Sequence, residues 1–358
     1  MKVLVAMSGG VDSSVAAVLL KEQGHEVTGV FMRNWTNDNK KMATLCPWED
    51  DERDVREVGK ILGLPTYLWD FQLDYQELIF NPFLNGLTNG ATPNPDCACN
   101  RYIKFGVLLD RAKEAGFDMI ATGHYARVIP AQTGIHLATG IDNNKDQSYF
   151  LSQITKEQLA NVIFPIGDLI KKEVRAIAKK YNLPVSAKPD SQGLCFVGRI
   201  KVADFLRANL EKKAGKIIDI DTKEILGEHD GIWFYTLGQR HGLKIGGGIP
   251  YFVAKKDLEK NILYVAMGPN HTSLFSQECI LENINWLEEI KLPISCEVRA
   301  RYHQPLQKAT IKCLQNTTIV QNCKQLQITF DEPQRSLTPG QVVAFYQNEI
   351  VLGSGVVV

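Results

Sequence analysis

The stretch Lys2-Val3-Leu4-Val5-Ala6-Met7-Ser8-Gly9-Gly10-Val11-Asp12-Ser13-Ser14 decides the fold. Residues 2–7 are a continuous apolar run, the mark of a short strand buried on both faces. A Ser/Gly turn follows, and residues 15–23 read as a helix that Gly24 ends. A second apolar run at 26–32 completes a βαβ unit. The pattern recurs outward from this unit, with a helix at 51–62 before a strand at 66–71, and a helix at 102–115 before a strand at 118–122. Leu169, Val174, Ile177 and Tyr181 predict a further helix over 168–181, with Pro184 beyond its end. Strands alternating with helices predict an α/β fold, a doubly wound parallel sheet covered on both faces.

From about residue 216 the texture changes. Short apolar runs at 233–236, 251–254, 262–265, 296–299 and 342–345 sit between Gly, Asp and Asn clusters. They predict strands of two small β-rich domains. The chain divides into residues 1–208, 209–271 and 272–358.

The 358 residues carry 40 Lys plus Arg and 40 Asp plus Glu, so the net charge of zero excludes a histone-like basic protein or an acidic tail. With 44% hydrophobic and 22% charged residues, the chain has the composition of an ordered globular protein. No apolar stretch reaches the roughly 20 residues that span a bilayer, and no signal h-region precedes the glycine loop, so a cytoplasmic protein without membrane contact is expected. Eight scattered cysteines are too sparse for a disulfide scaffold and are expected mostly as thiols.

A Gly-rich turn between strand and helix directs backbone N–H groups and a helix N-terminus at one point, which makes an anion site. No Lys follows the glycines, so this is not a Walker A loop, and the G-x-G-x-x-G spacing is absent. Ser8, Ser13 and Ser14 are candidate phosphate donors. Asp12 is a candidate Mg²⁺ ligand or helix cap. The motif resembles the PP-loop of ATP pyrophosphatases, which implies cleavage of ATP between the α and β phosphates.

Two cysteines lie in polar, turn-rich loops. Cys99 follows Thr92-Pro93-Asn94-Pro95-Asp96-Cys97-Ala98 and is placed near the start of the 102–115 helix, where the helix dipole and Arg101 favour a thiolate. Cys195 lies in Asp190-Ser191-Gln192-Gly193-Leu194-Cys195-Phe196. Cys279, Cys296, Cys313 and Cys323 sit in β-like contexts and read as small buried hydrophobes. A competing reading has Cys97 and Cys99 ligate zinc or an iron–sulfur cluster with Cys46 or Cys195. No C-x-x-C pair supports it, and no permanent metal is expected.

Several separate motifs in one order give a more specific resemblance. They are SGGVDSS, Gly29-Val30-Phe31-Met32, TPNPD…CN…IKF, Ala121-Thr122-Gly123-His124-Tyr125-Ala126-Arg127, Lys145-Asp146-Gln147-Ser148-Tyr149-Phe150-Leu151, DSQGLCF, Thr236-Leu237-Gly238-Gln239-Arg240, Arg301-Tyr302 and Thr338-Pro339-Gly340-Gln341. From end to end the chain is similar to the tRNA-specific 2-thiouridylases, which thiolate the wobble uridine of certain tRNAs. Cys97 is a departure from the family's usual pattern.

The resemblance implies a PP-loop domain of the adenine nucleotide alpha hydrolase type, then two small β-rich domains, the last a β-barrel that contacts tRNA. It implies that ATP, with Mg²⁺, lies along Ala6, Met7, Ser8, Gly9, Gly10, Val11, Asp12 and Ser13, with Met32 and Gly123 near the adenosine. The target base would enter a pocket of Asn94, Pro95 and Asp96. Cys99 and Cys195 would be catalytic and form a transient disulfide, with Asp96 as general acid or base. A persulfide donor protein would supply sulfur. His124, Lys145, Asp146, Gln147, Arg301, Tyr302 and Gln341 would contact tRNA. Other PP-loop synthetases and a non-enzymatic RNA-binding protein are the alternatives.

The zero net charge is an average over unlike segments. Residues 165–216 hold twelve Lys or Arg against five Asp or Glu, and residues 38–57 hold four against seven. This predicts a basic face from the 168–181 helix toward the Cys195 loop, and only limited non-specific RNA affinity.

Overall fold

The structure is a computed structural model that describes residues 1–35, 48–131, 134–189, 202–246, 248–315 and 323–358. Cys46 and Cys195 lie outside the described residues, as does the segment around each.

The first sheet holds β1 (Lys2–Ala6), β2 (Glu26–Arg33), β3 (Thr66–Asp70), β4 (Met119–Thr122) and β7 (Val162–Ile163) in the order β3-β2-β1-β4-β7. Every pairing is parallel. Val3, Leu4 and Val5 are fully buried, as a strand covered on both faces requires. Helices α1 (Val11–Glu22) and α2 (Trp48–Leu62) pack through Val15, Val18, Leu20, Val55 and Val58 on the cluster that holds Val3 and Val5. The chain order reverses between β1 and β4. Crevices at such switch points, beyond the carboxyl ends of the strands, are where open α/β sheets bind ligands.

A hairpin, β5 (Ala126–Pro130) and β6 (Ile135–Thr139), leaves this domain and joins the C-terminal sheet through Ile350 opposite Ala138. The central sheet is β8 (Gly215–Asp219), β9 (Ile225–His229), β10 (Tyr251–Asp257) and β11 (Ile262–Met267), ordered β10-β11-β8-β9. The last unit holds β12 (Phe275–Trp286), β13 (Ile294–Arg299), β14 (Gln307–Cys313), β15 (Leu326–Arg335), β16 (Val342–Gln347) and β17 (Ile350–Val357). These six antiparallel strands close into a barrel through the β12–β17 pairing.

The barrel is not a loose appendage. One core cluster runs from Leu4 and Val30 through Cys97, Phe105 and Tyr149 to Val342, Tyr346 and Val351. Asn285 Nδ2 donates to the carbonyls of Ser152 at 2.9 Å and Ile154 at 2.8 Å, and Ser354 Oγ donates to Ser152 O at 3.0 Å. Buried hydrogen bonds of this kind fix orientation as well as stability.

Four expectations are corrected. The run 232–234 is a 3-10 turn, not part of a strand. The helix expected at 102 starts at Asn94, whose Oδ1 accepts from the Asp96 and Cys97 N–H groups at 3.1 Å each. It runs through Pro95–Ala98, a π-helical Cys99–Val107 and Leu108–Glu114. The 168–181 helix is Lys171–Lys180, because the Glu173 carboxylate accepts from Ile170 N at 2.9 Å and fixes the start there. Cys313 and Cys323 form a disulfide, since the β14–β15 hairpin brings their Cα atoms to 5.8 Å, within the range a disulfide bridges.

Candidate active site

The loop after β1 lies at the β1/β4 switch point. Gly9 has φ +72°, and a Cβ there would lie 2.5 Å from Asp51 O, so only glycine fits. Gly10 caps α1 without a side-chain hydrogen bond, which leaves the first N–H groups of the helix to a ligand. The serines divide the work in a way their sequence does not show. Ser8 is exposed. Ser14 is fully buried and donates to Gly10 O at 2.9 Å, and Ser13 Oγ accepts from Ser8 N at 3.1 Å. Ser14 therefore shapes the loop instead of facing a phosphate.

Gly123, just past β4, backs this loop. A Cβ there would meet Ser13 N at 2.5 Å and the Asp12 carbonyl carbon at 2.6 Å. Met7 is buried, and Met32 is half-buried, paired with Trp69 across β2 and β3. Two lysines that the motif lacks arrive from far along the chain. Lys171 Nζ donates to both Asp12 carboxylate oxygens at 2.7 and 2.8 Å, and Tyr125 OH donates to Asp12 Oδ1 at 2.8 Å. Lys188 Nζ donates to Gly9 O at 2.9 Å, to Asp51 at 2.7 Å and to Asp54. Burial works to lower the Lys188 pKa, but the two carboxylates outweigh it and hold the ammonium above its ordinary range. The sequence's only hint of these lysines was the basic excess of residues 165–216.

These inward lysines thin the expected basic face. Arg175 also turns inward, onto the carbonyls of Ser186 and Lys188 at 2.8 and 3.1 Å. Lys172, Lys179 and Lys180 remain exposed, with Lys180 3.7 Å from Glu22. Asp12 is paired with Lys171, and among the described residues no group of three His, Cys, Asp or Glu side chains is arranged to hold a metal. A cation at this site would have to come mainly on the oxygens of its ligand, as Mg²⁺ does on nucleotide phosphates.

The Thr92–Cys99 segment is clamped by the barrel. Thr92 N donates to Pro339 O at 2.6 Å, and a Cβ on Gly340 would touch Thr92 and Pro93 backbone at 3.0 Å. Asn94, Pro95 and Asp96 form the cap and first turn of the helix. Cys99 therefore sits a full turn beyond the cap, where the helix dipole has largely faded, and Arg101 turns to Gln153 O at 3.0 Å. Of the two features expected to favour a thiolate, the helix N-terminus lies a turn away from Cys99. Cys99 is 1% exposed in a cluster with Tyr75, Ile79, Phe80, Phe83 and Phe205.

Phe205 belongs to the helix Val202–Asn209, which follows the segment bearing Cys195. Lys188, just before that segment, is bound to the nucleotide-type loop. The described residues on either side, Lys188 and Phe205, thus belong to the two candidate sites. Cys97 is fully buried beside Tyr149 O. Burial raises its thiol well above the ordinary range, and the Asp96 charge adds to this.

The residues grouped as RNA contacts are not all at one surface. Asp146 is 4% exposed and accepts from Gly140 N, Ser148 N and Ser148 Oγ, with Arg299 Nη1 at 3.2 Å. Gln147 exchanges hydrogen bonds with the Tyr125 backbone at 2.8 and 3.0 Å, and Lys145 N donates to Asp142 O at 2.9 Å. Gln341 Oε1 accepts from Thr338 N at 3.0 Å, which shapes the loop against Thr92. Arg301 and Tyr302 line an open cleft on the barrel. Removing the Asp146 carboxylate leaves the half-buried Arg299 without its acid. Asp146→Ala is expected to cost about 3–5 kcal/mol in denaturant melts, and Asp146→Asn clearly less.

His124 lies 6.0 Å from both the Phe105 and Phe164 ring centroids, with Nδ1 2.6 Å from Thr122 Oγ1. Burial, then the Lys104 charge, hold its pKa well below 6.5. Below about pH 6.5 the unfolded chain binds a proton that the folded chain refuses, so stability falls as pH drops, by at most about 1.4 kcal/mol per unit. Urea melts at descending pH should show a shallower loss for His124→Gln than for the wild type. Equal slopes would refute the placement.

A glycine loop with an uncapped helix N-terminus, set at the switch point of a parallel sheet and flanked by lysines, defines a nucleotide-binding α/β protein. Residues 1–199 match the tRNA methyl transferase HUP domain, residues 203–267 the tRNA methyl transferase PRC-barrel domain, and residues 276–357 the Aminomethyltransferase beta-barrel domain. The chain is 46% identical to the tRNA-specific 2-thiouridylase MnmA of Alkaliphilus oremlandii, over 99% of this chain and 96% of that protein. It is 44% identical to that of Chlamydia trachomatis serovar D, over 99% and 97%. The chain belongs to the family of the tRNA-specific 2-thiouridylases. Among solved structures it is similar to a 4-thiouridine synthetase in an RNA complex with bound ATP, at 18% identity and TM-score 0.32, over 55% of this chain and 45% of that one.

Proposed function

We propose that this chain is an ATP-dependent tRNA sulfurtransferase that replaces O2 of the wobble uridine with sulfur, giving 2-thiouridine, AMP and pyrophosphate. The observation that carries the reading is identity of 44–46% along 99% of the chain to proteins named for that reaction. The loop geometry supports it, because O2 is a poor leaving group until it is joined to a phosphate. Methyl transfer, the wording of two domain descriptions, needs neither an ATP loop nor a thiol pair, and we do not adopt it.

In this reading the N–H groups at the start of α1 receive the phosphates, and Gly9 and Gly123 let the loop keep its shape against Asp51 and behind Ser13. Met32 and Gly123 border the adenosine, and Mg²⁺ supplies charge neutralisation when bound with ATP. The uridine flips out toward Asn94, Pro95 and Asp96. O2 attacks the α-phosphate and pyrophosphate leaves. Cys195 carries a terminal sulfur received from a persulfide donor protein. That sulfur attacks C2 as the persulfide, or as sulfide set free when the Cys99 thiolate attacks the Cys195 sulfur and the Cys99–Cys195 disulfide forms, and AMP departs with O2. On the persulfide route the Cys99 thiolate then attacks the Cys195 sulfur. The bond to the transferred sulfur breaks, 2-thiouridine is released, and the Cys99–Cys195 disulfide awaits a thiol reductant. Asp96, on the helical turn that precedes Cys99, is the general acid or base. The cytoplasm is the compartment that fits a tRNA substrate and a thiol reductant.

The test is release of AMP from ATP with and without unmodified tRNA. The reading expects release to depend on tRNA. A rate that tRNA leaves unchanged would favour another PP-loop synthetase.

A further inference from the structure

At the junction of the central sheet and the barrel, two guanidinium groups face one cleft, and among the described residues neither has a carboxylate partner. The cleft encloses about 430 Å³ and is lined by Arg301, Tyr302, Gln304, Glu332, Gln334 and Arg335, among others. Arg335 closes β15 and stacks on Phe252 of the central sheet, 4.7 Å from its guanidinium carbon to the ring centroid. Its Nε and Nη2 are buried and have no hydrogen-bond partner among the described residues. Arg301 donates through Nη2 to Arg335 O at 2.9 Å and to Ser336 O, both neutral acceptors.

Burial, then the neighbouring Arg335 charge, lower the Arg301 pKa, so the two cations destabilise each other at rest. The nearby amides do not offset this. Gln304 Nε2 donates to Gln334 Oε1 at 2.8 Å, and Gln334 Nε2 donates to Gln307 Oε1 at 3.1 Å. Glu332 lies on the rim and is exposed. Beside the cations, the Tyr302 ring is held between Phe150 at 4.4 Å and His303 at 3.9 Å, tilted 45° and 44° to them.

Two desolvated, mutually repelling guanidiniums are costly unless an anion joins them, and planar guanidiniums are well suited to phosphate oxygens. We propose that Arg301 and Arg335 form a clamp for a backbone phosphate of the substrate RNA, in which Arg335 is a binding residue. The inference rests on the tRNA-substrate reading above and adds a residue and a chemical contact to it. Neither partner of the clamp touches the nucleotide-type loop, so the contact positions RNA and does not serve the chemistry.

The experiment is binding of unmodified tRNA to the full chain, read by fluorescence anisotropy across a series of salt concentrations. Arg335→Met is expected to weaken binding about tenfold at low salt and to lower the slope of log affinity against log salt by about 1. Arg335→Lys should restore the slope and only part of the affinity, because it keeps the charge and loses the fork. Glu332→Gln should tighten binding. An Arg335→Met protein with a wild-type melting temperature, slope and affinity would overturn the clamp. If Arg335→Met does not fold, Glu332→Gln decides, with unchanged affinity overturning it. A wild-type protein that does not bind tRNA would overturn the substrate reading and the clamp together, which is a different result from an unchanged slope.

Discussion

Cys99→Ser is expected to lower 2-thiouridine formation by at least about 10³-fold while tRNA-dependent AMP release stays within a few-fold of wild type. The separation follows from geometry. Cys99 sits in the Tyr75, Phe80 and Phe205 cluster, whereas the phosphate-type loop belongs to the β1/β4 switch point. Cys99→Ala removes the risk that a hydroxyl in an apolar site disturbs the fold. Cys97→Ala, two residues away, is expected to keep thiolation. That thiol is fully buried and its pKa is pushed up, so it rarely exists as a nucleophile. Loss of AMP release in Cys99→Ala, or loss of thiolation in a folded Cys97→Ala, would show that the two cysteines are assigned wrongly. The readouts are nucleoside mass spectrometry and labelled AMP, taken from the same reaction.

Gly123→Ala is expected to abolish both steps. The added Cβ would lie 2.5 Å from Ser13 N and 2.6 Å from the Asp12 carbonyl carbon, and both are backbone atoms that cannot rotate away. The first turn of α1 must shift, and the N–H groups aimed at phosphate shift with it. Overpacking of this kind costs about 1–3 kcal/mol in stability. Loss of aligned donors should weaken ATP binding by about 10²-fold or more. Gly227→Ala is the control, since a Cβ there meets nothing within 4 Å. Isothermal titration with ATP reads the effect directly. A folded Gly123→Ala protein with wild-type ATP affinity would place the nucleotide elsewhere.

The parallel sheet and its glycine loop were legible because buried parallel strands read as plain apolar runs. The start of the Cys99 helix was not. Asn94-Pro95 looks like loop punctuation, yet Asn at the cap and Pro at the first helical position are a helix-start signal. Residues 233–236 failed for the opposite reason, since a short apolar run fits a strand or a buried turn equally well. Lys171 and Lys188 lie 159 and 179 residues from the groups they hold, Asp12 and Gly9. No local pattern announces such partners. The β5–β6 hairpin is of the same kind, because only the remote β17 gives its edge a neighbour.

The central claim is that ATP activates a uridine whose oxygen is then exchanged for sulfur. The most direct measurement is a reaction of the purified chain with ATP, Mg²⁺, a persulfide donor and unmodified tRNA, followed by mass spectrometry of the tRNA nucleosides and quantitation of AMP. The account predicts 2-thiouridine with AMP formed in step with it. tRNA recovered without 2-thiouridine under conditions where ATP and donor are bound would contradict it.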